Sequence, residues 1–504
     1  MKGVFFALGK KQADAFIKRD YEENLARLKD ELGEGESFDI VVRQIKVLGK
    51  KAALICIDGF AKDDILTEVM ESLARLKKGF LTASTFKTLL TKGIPYIELS
   101  SERQISEVLN SALSGSIILI VDGCEEAFII DARTYPAREP GEPDIERVVR
   151  GSRDGFTETL VFNTALIRRR IRDPRLRIKL LTVGQRSKTD VCVCYLEDIC
   201  NPDLVDTISG RIQNINIDAI PMAEKSIEEF IVAGNIWNPF PRVRYTERPD
   251  VAAVHLFEGH VIVIVDTSPS VMIAPATYFH HVQHAEEYRQ EPLIGIYIRW
   301  IRFFAIISSL IVTPLWLLMA LSPELLPESL KFIGPKEVGE VPLLLQFIIA
   351  EISIDLLRMA AIHTPSPMTT ALGVIAALLI GQIAIDIGLL VPEVILYTAV
   401  VAVGQFSTPS YELAMANRMI RLFLLIITGL LKLPGFIIGV LVVFVGLALT
   451  KSFNVPYLWP LLPLNFRALK TILVRSPVTM QNMRPEALKP QDASRQPGAK
   501  ERRK

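Results

Sequence analysis

A chain of 504 residues that is 50% hydrophobic and 22% charged, with a mean hydropathy of +0.31, is too apolar for one soluble protein and too charged for a purely membrane one. Two compartments resolve this, a soluble part of a few hundred residues followed by a membrane part. The net charge of +1 decides nothing by itself because the charge is unevenly placed, no nucleic-acid partner is expected, and five cysteines without a framework spacing exclude a disulfide scaffold and point to reduced thiols in a cytosolic region.

Residues 1–37 read as an N-terminal extension. VFFALG is too short for a signal-peptide core, and the charged stretch from Lys18 to Glu31 follows at once as an amphipathic helix with Tyr21, Leu25, Leu28 and Leu32 on its apolar stripe. Residues 38–143 form a first α/β subdomain: strands at Ile40 to Val47 and Ala52 to Ile57, a helix from Asp63 to Lys77, a strand from Ile94 to Leu99, a helix near Ile105 to Leu113, and strands at Ile117 to Val121 and Ala127 to Asp131. That alternation favours a mixed sheet covered by helices, closed by a linker or long turn at Arg138 to Pro143. A second α/β subdomain, 144–235, has helices at Thr157 to Ile171 and Pro202 to Ile215 and strands at Leu176 to Val183 and Val191 to Leu196; no repeat links the two in sequence. The fold class is therefore two small α/β domains in tandem, then an all-α polytopic membrane domain.

Residues 236–298 read as a linker and juxtamembrane segment, with a strand at Val261 to Val265, a turn at AspThrSerPro, and a run rich in histidine and aromatics. AspThrSer superficially resembles an aspartic-protease turn, but that chemistry needs two carboxylates sharing a proton and no second copy exists. His280, His284 and Glu287 have ligand-like spacing on a helix, and Cys192 with Cys194 and Cys200 offers three thiols. An interfacial helix and buried structural thiols are the preferred readings, so no metal and no cofactor is expected.

The membrane domain, 299–463, opens with a span at Phe303 to Leu321 whose flanking Arg299 and Arg302 place its start on the cytoplasmic side. A loop from Ser322 to Pro342, richer in glutamate than lysine, suits the outer face. The span Leu343 to Ile362 then returns inward carrying Glu351, Asp355 and Arg358 within an arc of about 60°. Each charge costs a few kcal/mol at the bilayer centre, so that face must meet other helices or water. A third span, Met368 to Leu390, carries Gln382 and Asp386 one turn apart. Glu393 to Phe406 is short for a crossing, and Met419 to Thr450 is interrupted at Lys432, Pro434 and Gly435, either kinking one helix or separating two half-spans. The basic tail, 464–504, favours a cytoplasmic end and an even number of crossings: four full spans plus a broken or re-entrant pair, or six.

Glu351, Asp355, Gln382 and Asp386 are the ion-pathway candidates, because two carboxylates against one arginine leave surplus negative charge for a cation. A structural ion-pair network gluing helices is the other reading, with Arg358 pairing or snorkelling and Glu393 capping a helix. No phosphate-binding loop, zinc-protease helix or nucleophile elbow is present, and no catalytic residue is assigned; an enzyme is not expected.

RGSRDGFTETLVFNTALIRRRIRDPRLRI, Arg150 to Ile178, with NPFPRVRYTERPD, Asn238 to Asp250, PSYELAMANRMIRL, Pro409 to Leu422, and FNVPYLWP, Phe453 to Pro460, resembles the A subunits of the GerA family of spore germination proteins. DTSPS at Asp266 to Ser270 and HHVQHAEEYRQ at His280 to Gln290 depart from the nutrient-receptor pattern toward a sporulation-protein branch of that family. The resemblance implies a homo-oligomeric, ion-conducting component of germination complexes in the spore inner membrane, partnered by other integral membrane germination proteins. The soluble domains and the tail would then be cytoplasmic. A membrane-anchored scaffold that recruits germination proteins without conducting ions is the alternative.

Overall fold

The computed structural model describes residues 16–60, 63–75, 98–132, 146, 150–232, 236–336, 339–363, 373 and 381–495. The expected linker Arg138 to Pro143, the start of the strand at Ile94, and the third span up to residue 380, Gly373 apart, lie outside them. The chain divides into two compact units, one of residues 1–233, 245–275 and 479–504, the other of 234–244 and 276–478.

In the first unit, α1 (Tyr21–Leu32) starts where the Asp20 side chain accepts from the Glu23 amide and stops at Gly33, whose φ of 73° only glycine adopts cheaply. Its stripe Tyr21, Leu25, Leu28 and Leu32 is buried as its periodicity predicts. Strands β1 (Ile40–Val47) and β2 (Lys50–Ile57) form a hairpin closed by Leu48 and Gly49, both at positive φ, the geometry of a two-residue turn matched to strand twist. Then follow α2 (Asp63–Arg75), β3 (Glu98–Glu102), α3 (Ile105–Leu113), β4 (Ile117–Val121) and β5 (Ala127–Asp131). The sheet runs β1-β2-β4-β5-β3 and every pairing in it is antiparallel, where sequence alternation suggested a mixed sheet. The β1–β2 and β4–β5 hairpins impose that direction on their own pairings, since a short connection can only reverse the chain. Both faces of β4 are covered: Ile118 and Ile120 pack in the core containing α1 and α3, while Ile117, Leu119 and Val121 pack with Val69 and Leu73 of α2.

The second sheet repeats that plan. After α4 (Leu160–Arg170) come β6 (Leu176–Val183), β7 (Thr189–Leu196), α5 (Pro202–Gln213), α6 (Ala223–Ile231), β8 (Arg244–Thr246), α7 (Pro249–Glu258), β9 (Val261–Val265) and β10 (Val271–Ala274), in sheet order β6-β7-β9-β10-β8. Among the described residues the order of elements and strands is that of the first sheet with one helix added, a duplication of topology invisible in the sequence. The second sheet takes three strands from residues 244–274, so this subdomain runs past the boundary expected at 235.

The two sheets are tied by the segment before β1. Phe38 N donates to Ile178 O, and Ser37 Oγ accepts from the Ile178 amide, covering the β6 edge. Beneath it, Arg168 Nε donates to Asp39 Oδ2 at 2.9 Å and Nη2 to Oδ1 at 3.1 Å, both side chains fully buried. Asp39→Asn is expected to destabilise this joint by about 2 kcal/mol, since Arg168 loses the charge on its partner but keeps one acceptor. Faster hydrogen exchange in β1 and β6, with the helical unit unchanged, is the readout. The tail also folds here: Gln491 Nε2 donates to Cys200 O, and Arg484 Nε to Phe257 O.

In the second unit, α8 (Tyr278–Val282) and α9 (Ala285–Arg289) precede α10 (Pro292–Leu321), which starts earlier than the expected Phe303 because Pro292 occupies its first turn. Next are α11 (Leu343–His363), α12 (Pro392–Phe406), α13 (Tyr411–Leu449) and α14 (Phe466–Leu473). By length and composition, α10 and α13 can cross a membrane; α11 has the length but three charges.

Helix α13 is two helices. Lys432 is non-helical, with φ 52° and ψ −133°. A Cβ on Gly435 would lie 2.1 Å from Ile427 O, and one on Gly439 2.8 Å from Leu424 Cδ2. Eight residues of straight helix span about 12 Å, so these contacts require the chain to fold back at Lys432 into an antiparallel hairpin. Of the two outcomes left open at Lys432, Pro434 and Gly435, the structure takes the separated arms.

Candidate functional site

A carboxylate and arginine cluster lies at the centre of the helical unit. Glu351, in the middle of α11, is 1% exposed. Arg421, on the first arm of α13, meets it in a bidentate pair, Nε to Oε1 and Nη2 to Oε2, both 2.8 Å. Arg421 Nη1 also donates to Ser309 O of α10 at 2.8 Å, and Nη2 lies 3.4 Å from Gln405 Oε1 of α12. One guanidinium thus joins four helices, which its planar five-donor fork permits and lysine would not.

Arg418, one turn earlier, donates to Glu351 O at 2.6 Å and pairs with Asp355. Arg358 lies over the Phe406 ring, 5.5 Å from its centroid, with Nη1 3.0 Å from Met415 Sδ. Two carboxylates therefore meet two arginines, Arg418 and Arg421, so the surplus negative charge inferred from α11 alone is neutralised. Sequence reasoning missed Arg418 and Arg421. Their signal was available: two arginines three apart in an apolar run each need a partner as much as Glu351 does. The helices approach closely here, since a Cβ on Gly404 of α12 would lie 2.7 Å from Ala305 O of α10.

Gln382 and Asp386 are not part of this cluster. Both are exposed on the segment before α12, with Ile383 and Ile387 exposed beside them. Glu393 sits in the first turn of α12 behind Pro392 and accepts from the Lys336 amide at 3.3 Å.

A second buried carboxylate lies at the base of α10. Glu287 accepts from Arg299 Nε at 2.6 Å and pairs with Arg302, while Arg299 Nη1 donates to Ile472 O. The spacing of His280, His284 and Glu287 does not gather them, because α8 ends at Val282 and α9 begins at Ala285. His280 Nδ1 instead accepts from the Thr277 amide and His284 Nδ1 from the Glu286 amide, both as caps. Their neighbour His281 is fully buried, and desolvation holds its pKa down to about 3. Cys192, Cys194 and Cys200 are buried, and burial pushes their thiols upward, Cys200 to about 12, the environment of inert core thiols.

The model of the Bacillus/Clostridium GerA spore germination protein family matches residues 26–487. Stage V sporulation protein AF of Bacillus subtilis (strain 168) is 48% identical over 481 residues, 95% of this chain and 97% of that protein. Spore germination protein KA of the same organism is 29% identical over 493 residues, 96% of this chain and 90% of that one. The crystal structure of the N-terminal domain of the A subunit of the Bacillus megaterium spore germinant receptor GerK3 aligns at 29% identity with a TM-score of 0.41, covering 53% of this chain and 98% of that domain. The four quoted motifs fall inside a match that runs almost from end to end, and the chain belongs to the GerA family of spore germination proteins.

Proposed function

We propose that the chain is a multi-pass subunit of a germination complex in the spore inner membrane, and that it conducts cations as a homo-oligomer assembled with other integral membrane germination proteins. Family membership supports the germination role. Conduction rests on one observation, the exposure of Gln382 and Asp386 beside the exposed Ile383 and Ile387. A carboxylate turned to lipid costs a few kcal/mol, so these groups face water or a neighbouring copy. On this reading Glu351 and Asp355 are the clasp that shapes each subunit, and Asp386 offers the negative charge a cation meets. The exposed stripe Leu345, Ile352, Leu356 and Met359 on α11 has the spacing of a helix-packing seam and gives copies a surface to share.

The neutralised state of Glu351 favours a second reading, a membrane scaffold whose charges only hold helices together. Cation flux from liposomes separates the two. Asp386→Asn is expected to cut flux severalfold with oligomer size unchanged. Equal flux removes Asp386 from the path, and no flux from intact wild-type oligomers selects the scaffold.

A further inference from the structure

A separate cluster lies in the first unit, at the joint of α7 and β9. His255 is in the last turn of α7 and Glu258 is its final residue, three positions on, hence on the same face. Gly259, at φ 101°, turns the chain so that His260 leads into β9, the middle strand of the second sheet. Ligand atoms of the three side chains lie within 4.8 Å of one another, and the two imidazole rings meet edge to face with centroids 5.0 Å apart. His255 is 8% exposed and His260 fully buried.

The tautomer of His255 is fixed by its surroundings. Its Nδ1 is 2.8 Å from Val251 O, and a carbonyl only accepts, so Nδ1 carries the proton and Nε2 is the basic nitrogen. A ring proton held by a backbone carbonyl is the usual support of a metal-binding imidazole. Two imidazoles and one carboxylate form the donor set of three-ligand zinc sites, in which ligand atoms stand on the order of 3.4 Å apart around the ion. Small side-chain rotations bring 4.8 Å to that spacing.

We infer that His255, Glu258 and His260 bind a divalent transition metal of the zinc class, with a coordination position left for water. Arg495 Nη1 engages Glu258 Oε1 at 3.3 Å, so the metal takes the other carboxylate oxygen. Pro490 lies 3.7 Å from where a Cβ on Gly259 would stand, and Arg484 donates to Phe257 O. The C-terminal tail therefore covers the joint, and the metal pins α7 to β9 beneath it.

The test uses the full chain in detergent, stripped with a chelator and titrated calorimetrically with Zn2+ alone. One equivalent is expected, with affinity at least about tenfold weaker in His255→Gln and in His260→Gln at unchanged helicity and oligomer size. His280→Gln with His284→Gln should leave binding intact. Co2+ in place of Zn2+ should give the visible absorption of a nitrogen and oxygen site without a thiolate charge-transfer band. Wild type that takes up no more Zn2+ than the His255→Gln/His260→Gln double variant overturns the inference. So does a thiolate band, which would move the metal to the cysteines and can be read even if the histidine variants fail to fold.

Discussion

Arg421→Ala is expected to cost about 3–5 kcal/mol, enough to remove most folded protein from the membrane fraction. The substitution deletes both hydrogen bonds to Glu351 and the donation to Ser309 O, and leaves a carboxylate 1% exposed with its nearest charge partner gone. Arg418 does not replace it, since its closest approach to a Glu351 carboxylate oxygen is 3.6 Å and it already serves Asp355. Glu351→Gln should cost less, because the amide is neutral and keeps one acceptor for the guanidinium. Pairing Arg421→Met with Glu351→Leu should recover part of the loss, as apolar replacement of a buried pair removes the desolvation term along with the attraction. Thermal unfolding in detergent of wild type, Arg421→Met, Glu351→Leu and the double variant measures the coupling as a double-mutant cycle. Additive losses would mean that the two side chains do not act as a pair.

The same residues show how far the sequence could be read. The polar face of α11 was legible because three charges in twenty apolar residues violate the preferences of lipid. Its partners were not, because Arg418 and Arg421 come from a helix 67 and 70 residues downstream of Glu351, and only the tertiary fold selects Arg418 over the local i, i+3 neighbour Arg358 for Asp355. Strands Ile117–Val121 and Val261–Val265 announced themselves as continuous apolar runs covered on both faces. The four-residue strand Val271–Ala274 did not, being too short to show a period. Nor did the duplicated strand order, since hairpin pairing is satisfied by many sequences and leaves no fixed residue at fixed spacing. The cluster at His255, Glu258 and His260 went unread because two of its members lie on opposite sides of a glycine turn, and a helical period cannot place His260.

Gly435→Leu is expected to open the α13 hairpin. The two arms touch through Gly435 and Gly439, both buried, while Ile437, Ile438 and Val440 between and beside them are exposed. Glycines four apart put two backbone-only patches on one helix face, the arrangement that lets membrane helices pack at close range. A Cβ on Gly435 would fall 2.1 Å from a backbone oxygen, which cannot rotate aside as a side chain can, so one arm must move by more than an ångström. The movement would strip Leu424 and Ile427 of their contacts with Gly439 and loosen Leu447 and Val443 from the core containing Leu413 and Ile420. A loss of about 3 kcal/mol is expected from overpacking against fixed backbone, with Gly435→Ala intermediate and Ile438→Ala, on the exposed side, near zero. Hydrogen exchange separates this from general unfolding: amides of the second arm, Leu433 to Leu449, should lose protection first, while α10 and α12 keep theirs. Uniform loss across the unit would mean that the hairpin is no independent element, and that Arg421 and the glycines support one cooperative core.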